Sequence, residues 1–279
     1  MTTTPSTTLS TTTATSTTKP TTPVPVLCDL DGVVWLSQVP IEGSVDAIRR
    51  LRAAGHRVLF VTNNSFSEVG SQVNALESIG IAAQGDVLTS AMAAALLVEP
   101  GERVMVCGGP GIVEALAERG AIAADDGPFD AVMVGFHRSF DYEVMRRSST
   151  AVRDGARLIA TNDDATYPTP DGPIPGGGAI LAGIVIASGV APIVAGKPYP
   201  PMASLVRLIT GIDDLSDAVM VGDRPDTDGL MAQTLGCRYA HVWSGVTPAG
   251  TDVTPPPSIQ GPDLAAIADQ LLRVAAAGV

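Results

Sequence analysis

Four short apolar runs in this chain stop abruptly at polar groups. Residues 24–28 run into Asp29-Leu30-Asp31-Gly32, 57–61 into Thr62-Asn63-Asn64-Ser65, 192–195 into Gly196-Lys197-Pro198, and 218–221 into Gly222-Asp223 with Asp228 just beyond. Short apolar runs alternating with helical periodicity fit the buried strands of a parallel sheet covered by helices. Strands of such a sheet point the same way, so the groups at their carboxyl ends converge on one edge. The first run is the sharpest case. Asp29 and Asp31 are spaced i, i+2 and share a side if the strand continues through both, and Gly32 lets the backbone turn closely over whatever they hold. Two acids there need a cation, a proton or hydrogen-bond donors. Asp-x-Asp-Gly alone fits a solvated acidic turn equally well. An EF-hand loop does not fit, because a strand precedes and the twelfth position holds Pro40 rather than Glu.

The chain has 279 residues, enough for one large or two ordinary domains, and a net charge of −12. That charge argues against a nucleic-acid partner, since phosphate backbones are met by clustered Lys and Arg. Cys28, Cys107 and Cys237 lie far apart without metal spacing, which points to free thiols in a reducing, cytoplasmic compartment. Residues 1–23 are Thr, Ser and Pro with almost nothing apolar, so a disordered tail is expected there. The tail lacks the apolar stretch of a signal peptide, and no later run is long enough to span a membrane.

Along the chain, periodicity predicts helices over 43–54 and 67–78 between the first strands, an α/β alternation. The rhythm restarts near Thr89, with helices over 91–98, 112–119 and 142–154 and strands over 104–107, 131–136 and 157–160. It closes in a loop over 161–178 rich in Asp, Pro and Gly. The interval from Asp31 to Thr62 has room for one helix and one strand, whereas that from Thr62 to Lys197 is several times longer than a crossover needs. A second α/β unit must sit in the longer interval. The expected organisation is a core domain over 24–88 and 178–279, interrupted by an α/β unit over 89–177.

Three or more carboxylates, one Lys and hydroxyl or amide donors at one sheet edge form a site for Mg²⁺ and a phosphoryl group, since hard oxygen ligands suit that ion. The four segments DLDGVVW, VTNNS, AGKP and VGDRPDTD, in that order, resemble the motifs of the haloacid dehalogenase superfamily, in its NagD-like, p-nitrophenylphosphatase-like branch. The resemblance spans residues 24 to about 250. It implies a Rossmann-like core with an inserted α/β cap of the C2a type, and association of two copies through the cap. It also implies a phosphatase for a small phosphorylated metabolite. Asp29 would be the nucleophile that carries the phosphoryl group and Asp31 the acid and base. Mg²⁺ would be held by Asp29, the backbone carbonyl of Asp31 and Asp223, with Asp228 supporting its waters. Lys197, Thr62, Asn63 and Asn64 would bind the phosphoryl oxygens.

Substrate choice is expected from cap loops. Thr161-Asn162-Asp163-Asp164 and the loop to Pro175 resemble the family's specificity loop, and Gly135-Phe136-His137-Arg138 is the other candidate, with His137 standing where many relatives carry Asp. Passing the phosphoryl group to an alcohol acceptor is the nearest alternative. A phospho-accepting signalling module is more remote, because it would need neither Asp31 nor a cap. Gly108-Gly109-Pro110-Gly111 imitates half a dinucleotide fingerprint, but Glu114 stands where a third small residue is wanted, so a tight turn is expected. Gly176-Gly177-Gly178 reads as the hinge returning from cap to core. His56 and His241 read as structural.

Overall fold

The structure, a computed structural model, describes residues 24–167, 169 and 172–277. The expectation for residues 1–23 lies outside them. The chain enters as β1 (Val26–Cys28), forms a hairpin of β2 (Trp35–Leu36) and β3 (Val39–Pro40), then continues through α1 (Ser44–Ala53), β4 (Val58–Thr62), α2 (Val69–Ser78), β5 (Val87–Thr89) and α3 (Ser90–Ala95). A second unit follows: β6 (Arg103–Cys107), α4 (Pro110–Arg119), β7 (Ile122–Ala123), β8 (Ala131–Val134), α5 (Tyr142–Arg153), β9 (Arg157–Ala160), the hairpin β10 (Thr166–Tyr167) and β11 (Ile174–Pro175), α6 (Gly177–Ser188) and β12 (Ile193–Val194). The chain returns through α7 (Pro200–Thr210), β13 (Val219–Gly222), a π-helical turn over Pro225–Gly229, α8 (Leu230–Leu235), β14 (Arg238–Val242), β15 (Ile259–Gly261) and α9 (Leu264–Ala277).

Local chemistry accounts for the element ends. In α1, Ala47, Ile48 and Leu51 form one buried stripe, with Asp46 in the first turn and Arg50 and Arg52 in the last, complementing the helix dipole. Asp141 caps α5 by accepting from the Val144 amide at 2.8 Å. Pro110 opens α4, and Gly120, in the left-handed region, closes it.

Six strands form one parallel sheet in the order β15-β14-β13-β1-β4-β5. The central β1 pairs Val26 with Val219 on one side and with Val58 on the other. Alternation sends Leu27, Leu59 and Met220 to one face and Val26, Cys28, Phe60 and Val221 to the other. Five strands form a second parallel sheet, β12-β9-β8-β6-β7. Its Val132, Val134, Leu158 and Ala160 pack against Ala151 and Val152 of α5 and Ile180, Leu181 and Ile184 of α6. Its other face, with Val104, Ala131, Met133 and Ile159, joins Leu27 and Leu59 of the first sheet in one apolar cluster through Ala91, Ala94 and Ala95 of α3.

This corrects the expected boundaries of the insertion. Thr89 pairs with Thr62 in the first sheet, and α3 is shared by both units rather than opening the second. At the other end, Ile193 pairs with Ile159 and Val194 with Ala160, so α6 and β12 belong to the cap, and the return to the core comes at Gly196-Lys197 rather than at 178. A short apolar strand reads the same whichever sheet it joins, and only its pairing register separates the cases. The glycines 176–178 are accordingly no interdomain hinge. A Cβ at Gly178 would lie 2.1 Å from the Asp163 carbonyl oxygen and one at Gly176 2.3 Å from that of Asp164, so they allow two cap segments to touch. Among the described residues no helix is long and apolar enough to cross a membrane.

Candidate active site

Asp29 stands one residue beyond β1, its amide donating to the Val221 carbonyl at 2.9 Å and so continuing the ladder. Its Oδ1 accepts from the Leu30 amide at 2.8 Å and from Lys197 Nζ at 2.8 Å. Lys197 Nζ also reaches Asp228 Oδ1 at 2.7 Å, and Asp228 Oδ2 accepts from the Arg224 amide at 3.1 Å. A side chain as long as Lys197 is only 2 % exposed here. Burial opposes its charge, but Asp228 and Asp29 outweigh burial and hold its pKa above the ordinary lysine value. Lys197 leaves a strand of the cap sheet, so the fourth expected strand end belongs to the cap and meets the three core strand ends from above.

The acids outnumber this one cation. Asp223 is almost fully buried, accepting at Oδ2 from the Val246 amide at 2.7 Å, while its buried Oδ1 has no hydrogen-bond partner among the described residues. Burial and then the Asp29 charge push Asp223 up to about 6, and the same two causes push Asp31 to about 6. Burial also pushes Asp228 up to about 8, against the pull of Lys197. Carboxylate oxygens of Asp29, Asp223 and Asp228 lie within 4.8 Å of one another. A buried carboxylate oxygen without a donor, in a cluster short of positive charge, fits a hard divalent cation. The backbone is shaped for this approach: Gly32 has φ +86°, and a Cβ there would come within 2.6 Å of the Asp223 carboxylate.

Thr62, at the end of β4, accepts from the Asn64 amide at Oγ1 (3.1 Å), which leaves its hydroxyl proton for another acceptor. The Asn63 side chain does not serve the cleft. Its Oδ1 accepts from the Lys197 amide at 2.7 Å, and its Nδ2 donates to the Lys197 carbonyl at 3.0 Å and to Asp164 Oδ2 at 3.1 Å. The Asn64 side-chain oxygen is likewise committed, to the Phe66 and Ser67 amides at 3.0 and 3.3 Å. Asn162 donates to the Asn63 carbonyl at 2.8 Å and accepts from the Asp164 amide at 3.2 Å. Asn63, Asn162 and Asp164 therefore form a clasp between core and cap while still lining the cavity. Burial raises the Asp164 pKa, against its bond to Asn63.

A cavity of about 440 Å³ opens above these groups, its floor formed by Asp29, Asp31, Thr62, Lys197 and Asp223. Its far wall is Leu36 and Val39 from the β2–β3 hairpin, Val246, and Phe136 stacked on Tyr167 at 5.1 Å and 10°. Phe136 and Tyr167 lie in the two cap segments, 135–138 and 161–175, from which substrate choice is expected, and both are among the scarce aromatics of the chain. His137 does not line the cavity. It accepts from the Ser139 amide at 3.1 Å and sits edge-on to Phe140, so the expected substrate role is corrected to a local turn.

Residues 26–122 match the model of a family described as haloacid dehalogenase-like hydrolase, and residues 194–271 one described as HAD-hydrolase-like. An acid sugar phosphatase of Staphylococcus saprophyticus is 37% identical over 225 residues, 79% of this chain and 86% of its own length. Among solved structures, a p-nitrophenyl phosphatase from Archaeoglobus fulgidus has a TM-score of 0.83 at 28% identity, covering 88% of this chain and 98% of that one. A glycerol phosphate phosphatase from Mycobacterium tuberculosis, solved in complex with magnesium, has a TM-score of 0.79 at 32% identity, covering 87% of this chain and 75% of that one. The same protein was also solved with calcium.

Proposed function

We propose, for a chain that belongs to the haloacid dehalogenase-like hydrolases and is a phosphatase acting on phosphate esters, that it hydrolyses a small phosphomonoester with Mg²⁺ through a phosphorylated Asp29. The observation that carries this reading is Asp29 paired with Lys197 and within 4.8 Å of a carboxylate oxygen of Asp223, an acid whose Oδ1 has no hydrogen-bond partner among the described residues. Asp29 Oδ1 takes both protein donors, so Oδ2 keeps its lone pairs for phosphorus. Attack by Oδ2 forms an aspartyl-phosphate as the bond from phosphorus to the alcohol oxygen breaks. Asp31, protonated more readily than an ordinary carboxyl, gives its proton to the departing oxygen. The ionised Asp31 then takes a proton from water, whose oxygen attacks phosphorus and releases phosphate and the Asp29 carboxylate.

Lys197 and Thr62 neutralise and orient the phosphoryl oxygens. Asp228 holds Lys197 in place and is a positioning residue. Asp29, the Asp31 carbonyl and Asp223 would hold Mg²⁺, which supplies charge neutralisation at the phosphoryl group when bound.

The test is phosphate release from p-nitrophenyl phosphate and a panel of small phosphomonoesters, with Mg²⁺ or with EDTA. Turnover is expected only with the metal, and Asp29→Asn should lower it by roughly a thousandfold or more. Wild-type rates in a correctly folded Asp29→Asn variant would remove Asp29 as the nucleophile.

A further inference from the structure

We propose that the ester this site hydrolyses carries a second anionic group on its leaving alcohol, and that Arg138 reads it. The proposal rests on the phosphatase reading above and adds the class of substrate. The chain holds 29 acidic and 17 basic side chains, and its arginines are mostly engaged: Arg50 on Asp269, Arg52 on Asp86, Arg103 on Asp126 and Arg157 on Glu102, for example. Among the described residues only Arg138 and Arg224 have a guanidinium with neither a hydrogen bond nor an ion pair, and both line the cleft. Arg224 faces the acidic side, where its charge acts on Asp164 and Asp223. Arg138 lies on the opposite side, its guanidinium carbon 5.3 Å from the centre of the Phe66 ring, an aromatic seat that holds a cation without neutralising it.

A second cavity of about 310 Å³ adjoins the first and shares Asp31, Ser37, Thr62, Asn64, Tyr167 and Thr169 with it, but not Asp29, Lys197 or Asp223. The two cavities therefore meet over the proton donor. Phosphorus belongs on the Asp29 side and the leaving alcohol on the Asp31 side, since Asp31 protonates the oxygen that leaves. Beyond the shared residues the second cavity offers Gln38, Ser67, Ser71, Gln72 and Arg138 and no further carboxylate. Hydroxyl and amide groups around one unpaired guanidinium suit a hydroxylated alcohol bearing a carboxylate or a second phosphate. Arginine binds either by paired hydrogen bonds.

The experiment compares three esters under Mg²⁺: glycerol 3-phosphate, 3-phosphoglycerate, which replaces its terminal hydroxymethyl by a carboxylate, and propane-1,3-diol bisphosphate. p-Nitrophenyl phosphate serves as the control. Wild type is expected to favour at least one doubly anionic ester over glycerol 3-phosphate in kcat/KM. Arg138→Gln should shrink that preference by about tenfold to a hundredfold, mainly through KM, with Arg138→Lys in between. Which anionic ester loses more identifies the group that is read. Equal use of neutral and anionic esters by wild type, or an equal loss on all three in Arg138→Gln, overturns the proposal while p-nitrophenyl phosphate turnover keeps the phosphatase reading standing. Failure on the control as well would bring down both.

Discussion

At the scale of the residue, the telling group is Asp223, a buried carboxylate with one oxygen on the Val246 amide and the other without a donor among the described residues. With Asp31 at about 6 and Asp228 at about 8, it belongs to a set of acids that burial pushes upward, so the folded state holds protons that an unfolded chain has released. Raised carboxyl pKa values make stability fall as pH rises, here between about 4 and about 8. Exposed acids held low by partners, such as Asp46 beside Arg49 and Glu143 beside Arg146, act below that window. In EDTA the Tm should therefore fall between pH 5 and pH 8. Mg²⁺ at pH 8 should restore it, by about 2.7 kcal/mol at a hundredfold excess over Kd. Asp223→Asn should match or exceed wild-type stability in EDTA at pH 8 and lose most of the response to Mg²⁺. A Tm that climbs through this window in EDTA, or a variant with the full metal response, contradicts this account of the cluster.

At the scale of the element, the seam between core and cap is built from glycine-permitted backbone contacts. The Gly111 amide donates to the Phe66 carbonyl at 3.0 Å, and a Cβ at Gly111 would lie 2.4 Å from the Ser67 carbonyl oxygen. A Cβ at Gly109 would lie 2.4 Å from the Phe66 ring. The glycines that imitate a dinucleotide fingerprint thus let a cap helix start against the loop after β4. Gly111→Ala must displace backbone, so it should cost about 2 kcal/mol by denaturant unfolding; an unchanged midpoint would mean the seam is looser than described. Much of the site was legible before this seam was known, because Asp29, Thr62 and Asp223 each follow an apolar strand and parallel topology gathers such ends. The destination of a side chain was not. Asn63 and Asn162 look like ligand-binding amides in sequence, but the register of cap on core turns them toward Lys197 and toward each other. Phe136 and Tyr167 fall in the two cap segments from which substrate choice is expected, whereas nothing in the sequence singles out Leu36 and Val39, because strands of two residues are too short to carry a periodic signal.

At the scale of the whole molecule, the two sheets share a helix. Ala91, Ala94 and Ala95 of α3 sit in one apolar cluster with Leu27 and Leu59 below and Ala131 and Met133 above. Splitting core from cap would expose that cluster to water, so unfolding should be a single transition in calorimetry, with van't Hoff and calorimetric enthalpies equal. Two resolved transitions would show that α3 does not couple the units. The same organisation explains why the cap boundary was misplaced in sequence: α6 and β12 are apolar enough for either unit, and only pairing with β9 assigns them. It also bears on how the enzyme works. Lys197, which pairs with Asp29, stands where the chain passes from the last strand of the cap sheet back to the core, while Asp29 follows the central core strand. Asn63, just beyond β4, holds both the amide and the carbonyl of Lys197, and Asp228 of the core holds its ammonium. The buried cation is thereby fixed to its acids by contacts that ask nothing of the rest of the cap.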